Sequence, residues 1–170
     1  MNVVLTGFMG VGKSTIGKLL SEKLGFGFCD TDKEIEKNSN MSIPEIFEKY
    51  GETKFREIET KVIKEISLKQ NCVISCGGGV VKSDENMNYL KTKGKIINLY
   101  ATVEKILSNI GDDQGRPLIK GKSKQEIKQL MEAREQFYKN ADLRIDVTYL
   151  TKEEIVNQIE DFIRNGEKYD

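Results

Sequence analysis

The sequence predicts an α/β fold, a parallel sheet wrapped by helices, on three observations. Short β-type runs alternate with helical patterns from end to end of the chain. The first apolar run, Val3-Val4-Leu5, passes through a glycine-rich loop directly into a helical pattern. Later helix starts carry a hydroxyl followed three residues on by a carboxylate: Ser42 with Glu45, Ser123 with Glu126 and Thr151 with Glu154. A length of 170 residues suits one domain with a sizeable core and is short for two.

The first strand runs from Val3 to Thr6, and the helix after the loop carries Ile16, Leu19, Leu20 and Leu24 on one stripe. A second strand at Phe28-Cys29 closes on Asp30-Thr31-Asp32. Residues Ile43 to Gln70 read as two helices broken at Gly51, where a single crossover helix would suffice, so they offer material for a second substrate's pocket. The third strand, Val73 to Ser75, leads through Cys76 into Gly77-Gly78-Gly79. Lys95 to Tyr100 and Leu143 to Val147 are the remaining strands, and the last helix stops at Gly166. Gly111 to Lys122 is polar, holds Pro117 and lacks hydrophobic periodicity, so it reads as a loop of lid length.

Lysine plus arginine balance aspartate plus glutamate at 27 each, with neither sign concentrated, so charge offers no footprint for nucleic acid or an anionic membrane. No apolar stretch has the length of a membrane span and the N-terminus has no basic lead, which points to a cytoplasmic protein; the lack of a long unpaired apolar stripe points to a monomer. Cys29, Cys72 and Cys76 lack metal-type spacing and read as reduced thiols. Histidine is absent, so a general base must be a carboxylate, a cysteine or a perturbed lysine.

Gly7-Phe8-Met9-Gly10-Val11-Gly12-Lys13-Ser14-Thr15 is a phosphate-binding loop. Its glycines free the backbone to turn N–H groups onto phosphate oxygens, Lys13 reaches the terminal phosphates, and the Ser14 hydroxyl suits Mg²⁺. Asp30 and Asp32 close a strand on the ligand side of such a sheet. One carboxylate can hold Mg²⁺ directly or through water while the other approaches an acceptor hydroxyl, although capping of the next helix also accounts for Asp30. Three consecutive glycines suggest backbone approaching a flat small ligand, or simply a turn. Ser75 is positioned to support the metal's waters. Arg56 with Glu59, and Arg134 with Tyr138, can be surface pairs or ligand groups. Arg116-Pro117, in the polar loop, suits closure over a transferring phosphoryl group.

Taken together, Gly7 to Thr15, Asp30 to Asp32, Phe55-Arg56 with Glu59, Gly77 to Gly79, Arg116-Pro117-Leu118, and Arg134 with Tyr138 resemble the shikimate kinases, in this order and spacing over nearly the whole chain. The resemblance implies a P-loop three-layer α/β/α fold of the nucleoside-monophosphate-kinase type, with a five-stranded parallel sheet, substrate-binding helices over about 31–62 and a lid over about 111–122. It implies Mg²⁺-dependent transfer of the ATP γ-phosphoryl group to the 3-hydroxyl of shikimate. Asp32, Lys13 and Arg116 become catalytic, and Gly10, Val11, Gly12, Lys13, Ser14, Thr15 and Arg116 hold the nucleotide. Asp32, Arg56, Gly77, Gly78, Gly79, Arg134, Phe47 and Phe55 take the acid, with Arg56 and Arg134 on its carboxylate, and Ser14 and Asp30 serve the metal. Asn109 departs from the family, which commonly has an arginine there stacking on adenine, and Cys76 replaces a hydroxyl residue. Gluconate kinases and nucleotide kinases share the fold and are the enzymatic alternatives; a nucleotide-binding module without catalysis is the alternative of another class.

Overall fold

A computed structural model describes residues 1–111 and 121–166. Five parallel strands, β1 (Asn2–Thr6), β2 (Gly27–Asp30), β3 (Cys72–Ser75), β4 (Gly94–Tyr100) and β5 (Leu143–Asp146), lie in the order β2-β3-β1-β4-β5. Register is set by pairs such as Val4 with Ile74 and Val4 with Ile96 on either side of the central strand. The helices are α1 (Lys13–Leu24), α2 (Thr31–Ser39), α3 (Ile43–Ser67), α4 (Asp84–Lys93), α5 (Val103–Ile110), α6 (Lys124–Tyr138) and α7 (Lys152–Gly166), with a 3₁₀ turn at Val80–Lys82. The strand runs expected from sequence lie within one or two residues of these bounds.

The period of two along each strand divides the core between the two faces of the sheet. Val3, Leu5, Val73, Ile97 and Leu99 meet Ile16 and Leu20 of α1 and Ile155, Ile159 and Ile163 of α7. Val4, Ile74 and Ile96 meet Ile46, Val62, Ile63 and Ile66 of α3 and Leu90 of α4. Each fully buried Ile or Leu contributes about 1.5–3 kcal/mol, which makes the sheet a firm base for the loops at its carboxyl edge.

The chain leaves β1 toward β2 but leaves β3 toward β4, in opposite directions across the sheet. A crevice opens at the carboxyl ends of this adjacent pair. The loops after β1 and β3 are the glycine-rich ones. Both capping boxes that open α3 and α6 are formed, and Thr151 and Glu154 exchange the same contacts ahead of α7. Gly51 breaks α3 as expected, with φ 78° and ψ 176°.

The three cysteines are free and buried. Cys29 is more than apolar filling: its Sγ accepts from Lys69 Nζ at 2.9 Å. The neighbouring Cys72 thiol, and then Lys69, bring the Cys29 thiol down to about 6 against the opposing effect of burial. Cys76 is pushed well up by burial, which leaves it an inert thiol.

Candidate active site

The loop between β1 and α1 takes its shape from glycine where no other residue fits well. Gly12, which precedes the first turn of α1, has φ 101° and Gly10 has φ 78°. A Cβ on Gly10 would also meet Ile110 Cγ1 at 2.6 Å. The N-terminus of α1 has no side-chain cap and no acidic residue in its first turn, whereas α2 to α7 all carry an acid there. Its orphan N–H groups and positive dipole end are therefore kept for an external anion. Lys13 is buried along its stem, and its Nζ donates to the carbonyls of Gly7 at 2.7 Å and Phe8 at 3.0 Å, across the mouth of the loop.

Asp30 caps the next helix, one of the two tasks that the sequence left open, and keeps its second oxygen in the cleft. Its Oδ1 caps α2, accepting from the N–H of Asp32 at 3.1 Å and of Lys33 at 3.4 Å. Its Oδ2 accepts from Ser14 Oγ at 2.6 Å, and Ser14 Oγ lies 3.3 Å from Ser75 Oγ. Two hydroxyls and a carboxylate oxygen form a hard-oxygen set that fits Mg²⁺. Among the described residues no cluster of three His, Cys, Asp or Glu could cage an ion, so a cation held here would need water and phosphate oxygens to complete its shell.

Asp32 lies in the first turn of α2. Burial, and next the charge of Asp30, lift its carboxyl from 3.8 to about 6, with Lys13 pulling the other way. That range suits a proton acceptor at neutral pH.

Gly77, Gly78 and Gly79 differ from the sequence expectation of an open backbone platform. A Cβ on Gly77 would collide with Asp32 Oδ1, one on Gly78 would lie 3.0 Å from an Arg134 guanidinium nitrogen, and one on Gly79 would lie 2.9 Å from Arg56 Nη2. Each missing side chain makes room for a different functional group. Gly77 N–H is already donated to Thr31 Oγ1 at 2.8 Å, and the Gly78 carbonyl accepts from Arg134 at 3.3 Å. Thr31, fully buried, holds the glycine turn through its bond to Gly77, a role the sequence reading, which has Thr31 only as part of the Asp30-Thr31-Asp32 motif, does not give it.

Arg56 is held from one side by Glu59, at 2.9 and 3.1 Å, with Glu52 more loosely at 3.4 Å. Glu59 is 2 % exposed, so this is no surface pair, and burial raises its carboxyl against the pull of Arg56. Arg56 also lies over the Phe55 ring at 5.0 Å, and Phe55 meets Phe47 with ring centroids 4.6 Å apart. Arg134 lies over the Phe8 ring at 5.4 Å, a second contact not expected from sequence. No described carboxylate pairs with Arg134, whose guanidinium donates to the Gly78 carbonyl and lies beside the Tyr138 hydroxyl. A half-buried cation in that state favours an anionic ligand.

One cleft of about 1210 Å³ joins these groups, from Gly10 to Thr15 across Asp30 and Asp32 to Phe47, Phe55, Arg56, Gly77 to Gly79 and Arg134. Arg116 lies outside the described residues, as do 112–120 of the expected lid.

The shikimate kinase family model matches residues 9–164. A shikimate kinase of Caldicellulosiruptor bescii is 52% identical over 153 residues, covering 89% of each chain. The structure of a shikimate kinase from Acinetobacter baumannii in complex with shikimate superposes with a TM-score of 0.90 at 35% identity, covering 97% of this chain and 93% of that one. A gluconokinase from Sinorhizobium meliloti, 15% identical over 92% of this chain and 87% of its own, reaches a TM-score of 0.62 and shares the fold alone. With its phosphate loop, half-buried aspartate and converging arginines in one cleft, the chain belongs to the shikimate kinase family.

Proposed function

We propose that this ATP-dependent kinase moves the γ-phosphoryl group of ATP onto the 3-hydroxyl of shikimate, giving shikimate 3-phosphate and ADP, through the residues gathered in the cleft. The observation that carries the reading is the glycine turn that admits Asp32, Arg134 and Arg56 side by side, across the cleft from the phosphate loop. A small acid carrying ring hydroxyls satisfies all three groups.

The acid's carboxylate pairs with Arg134 and with the free side of Arg56, whose other side Glu59 and Phe55 fix. Because the Gly77 N–H is already used, backbone contact to the ring falls to Gly78 and Gly79, and Phe47 and Phe55 wall the pocket. Asp32 receives the proton of the attacking hydroxyl. In a loose transition state little proton transfer precedes phosphoryl transfer, so placement of that carboxylate matters more than its base strength. Gly10 to Thr15 cradle the phosphates, and Lys13, released from the Gly7 and Phe8 carbonyls, follows the transferring group. Ser14 and Asp30 would hold Mg²⁺, which would supply charge neutralisation for the phosphates. Arg116 closes over them from the lid on the sequence argument alone.

We also read the chain as a cytoplasmic monomer without nucleic-acid or membrane partners. Its balanced charge supports this, and no described helix is long and apolar enough to cross a membrane.

The deciding experiment measures ADP formation with ATP and Mg²⁺ in the presence of shikimate, gluconate, AMP or no acceptor. Shikimate-dependent turnover is expected. Turnover only with gluconate or AMP would overturn the acceptor assignment, and none with any acceptor would favour a nucleotide-binding module.

A further inference from the structure

The two arginines of the acceptor end are held in opposite ways. Arg56 is fixed by carboxylates, Glu59 at 2.9 Å and Glu52 at 3.4 Å, which offset part of its charge. Arg134 is fixed by uncharged groups: its guanidinium lies over the Phe8 ring at 5.4 Å, donates to the Gly78 carbonyl at 3.3 Å and stands beside the Tyr138 hydroxyl. An aromatic face attracts a cation through its quadrupole and carries no net charge, so it orients a guanidinium without neutralising it. Arg134 keeps its charge for a ligand, and a long side chain that would lose rotamer freedom on binding is already ordered.

The ring under Arg134 belongs to the phosphate loop. Phe8 is 4 % exposed and shares an apolar cluster with Ile127, and Leu130 and Met131 pack against that cluster. Positions 127, 130, 131 and 134 recur at helical spacing on one stripe of α6, so the stripe that meets the loop's cluster ends in Arg134. On the main-chain side, the Phe8 carbonyl accepts from the Val11 N–H at 3.3 Å and from Lys13 Nζ at 3.0 Å. One residue thus has its backbone inside the donor's loop and its side chain beneath the acceptor's cation. Phosphate binding by such a loop uses N–H groups, the lysine and the hydroxyl, and asks nothing of the Phe8 side chain.

We propose that Phe8 is a positioning residue for the acceptor: its ring sets the Arg134 guanidinium, with its charge unspent, where the acid's carboxylate binds. This rests on the acceptor reading above, in which Arg134 takes that carboxylate. It assigns the phosphate loop a second duty, since the segment that cradles the donor's phosphates also places a cation of the acceptor end.

The test is a double-mutant cycle on shikimate binding, read by calorimetry without nucleotide, with ADP binding measured on the same proteins. Phe8→Leu keeps an apolar side chain and removes the ring; Phe8→Met fills the space with a flexible chain and guards against the cavity that leucine leaves. Each is expected to weaken shikimate about fivefold, the scale of a partly desolvated cation–π contact, and to change ADP by less than about twofold. In an Arg134→Ala background the same changes should cost nothing further, within about twofold, because the partner of the ring is gone. In turnover the loss should fall on KM for shikimate, with kcat nearly kept. Unaltered shikimate binding in both Phe8 variants, an equal loss of ADP, or a loss that persists without Arg134 would overturn the proposal. Shikimate binding that Arg134→Ala leaves unchanged would overturn the acceptor reading itself, and the proposal with it.

Discussion

Asp32 enters the folded protein with its carboxyl raised from 3.8 to about 6, by burial first and by the charge of Asp30 second. When the folded-state value lies above the unfolded one, the group's contribution to stability is fully present below the unfolded value and is lost as pH rises through the folded one. Here that window runs from about pH 4 to about pH 6. Each pH unit of the gap corresponds to about 1.4 kcal/mol, so ionised Asp32 leaves the ligand-free fold ~3 kcal/mol less stable above pH 6.5 than with the carboxyl protonated. Asparagine keeps the shape and cannot ionise. Asp32→Asn should therefore match the wild type near pH 4 and exceed it increasingly up to pH 6.5, with a plateau beyond. A domain of this size moves about 2–4 °C in Tm per kcal/mol, giving a ceiling of about 6–12 °C; imperfect pairing of the amide should hold the gain nearer 4 °C. Calorimetric melting of both proteins from pH 4.5 to pH 8, without nucleotide or Mg²⁺, reads the gap directly. The same variant should lose turnover severely while retaining nucleotide binding. A stability gap that does not change with pH, or a wild type that melts higher at pH 8, would refute the account of a strained buried carboxylate; near-normal turnover would remove Asp32 from the base role.

Gly79→Ala should displace the Arg56 guanidinium, raising KM for shikimate about tenfold or more while Tm moves little, because a flexible side-chain end yields rather than backbone; an unchanged KM would show that Arg56 does not need that space. Arg134→Ala and Arg56→Ala should each weaken shikimate by about 10- to 100-fold in KM, with a much smaller effect on ATP, and the reverse pattern would sink the carboxylate assignment. Ser14→Ala removes the hydroxyl donated to Asp30 Oδ2, and the Mg²⁺ concentration for half-maximal rate should rise about tenfold; an unaltered Mg²⁺ titration would take Ser14 out of the metal site.

The sheet was legible because its signals are local. Val3-Val4-Leu5 reads as a buried parallel strand, and Ser42 with Glu45 announces the start of α3 within four residues. Strand order is not local, and it entered only through the family resemblance. The phosphate loop was readable for the same reason as the caps, since all its chemistry falls between Gly7 and Thr15. The glycine triplet was readable only in part. A sequence reveals where a Cβ is missing but not what occupies the space, and here the occupants come from α2, α3 and α6. Phe8 beneath Arg134 and the Asn109 bond to Gly10 are likewise long-range pairings of residues that carry no signal of their own.

Asp30 illustrates why two sequence explanations need not compete. Capping and metal support looked like alternatives because each was assigned to a residue, but a carboxylate has two oxygens and each can serve one task. Oδ1 fixes the first turn of α2, which carries Asp32, while Oδ2 holds the Ser14 hydroxyl at the first turn of α1, which carries Lys13. One rigid planar group thus spans Asp32, the proposed proton acceptor, on one side of the cleft and the phosphate loop on the other. A shift of the cation site relative to the loop must pull on the α2 cap, and a shift of Asp32 must be transmitted back to Ser14. In-line transfer needs the acceptor hydroxyl and the γ-phosphate aligned, and a single side chain shared between their supports sets that alignment without a separate clamp.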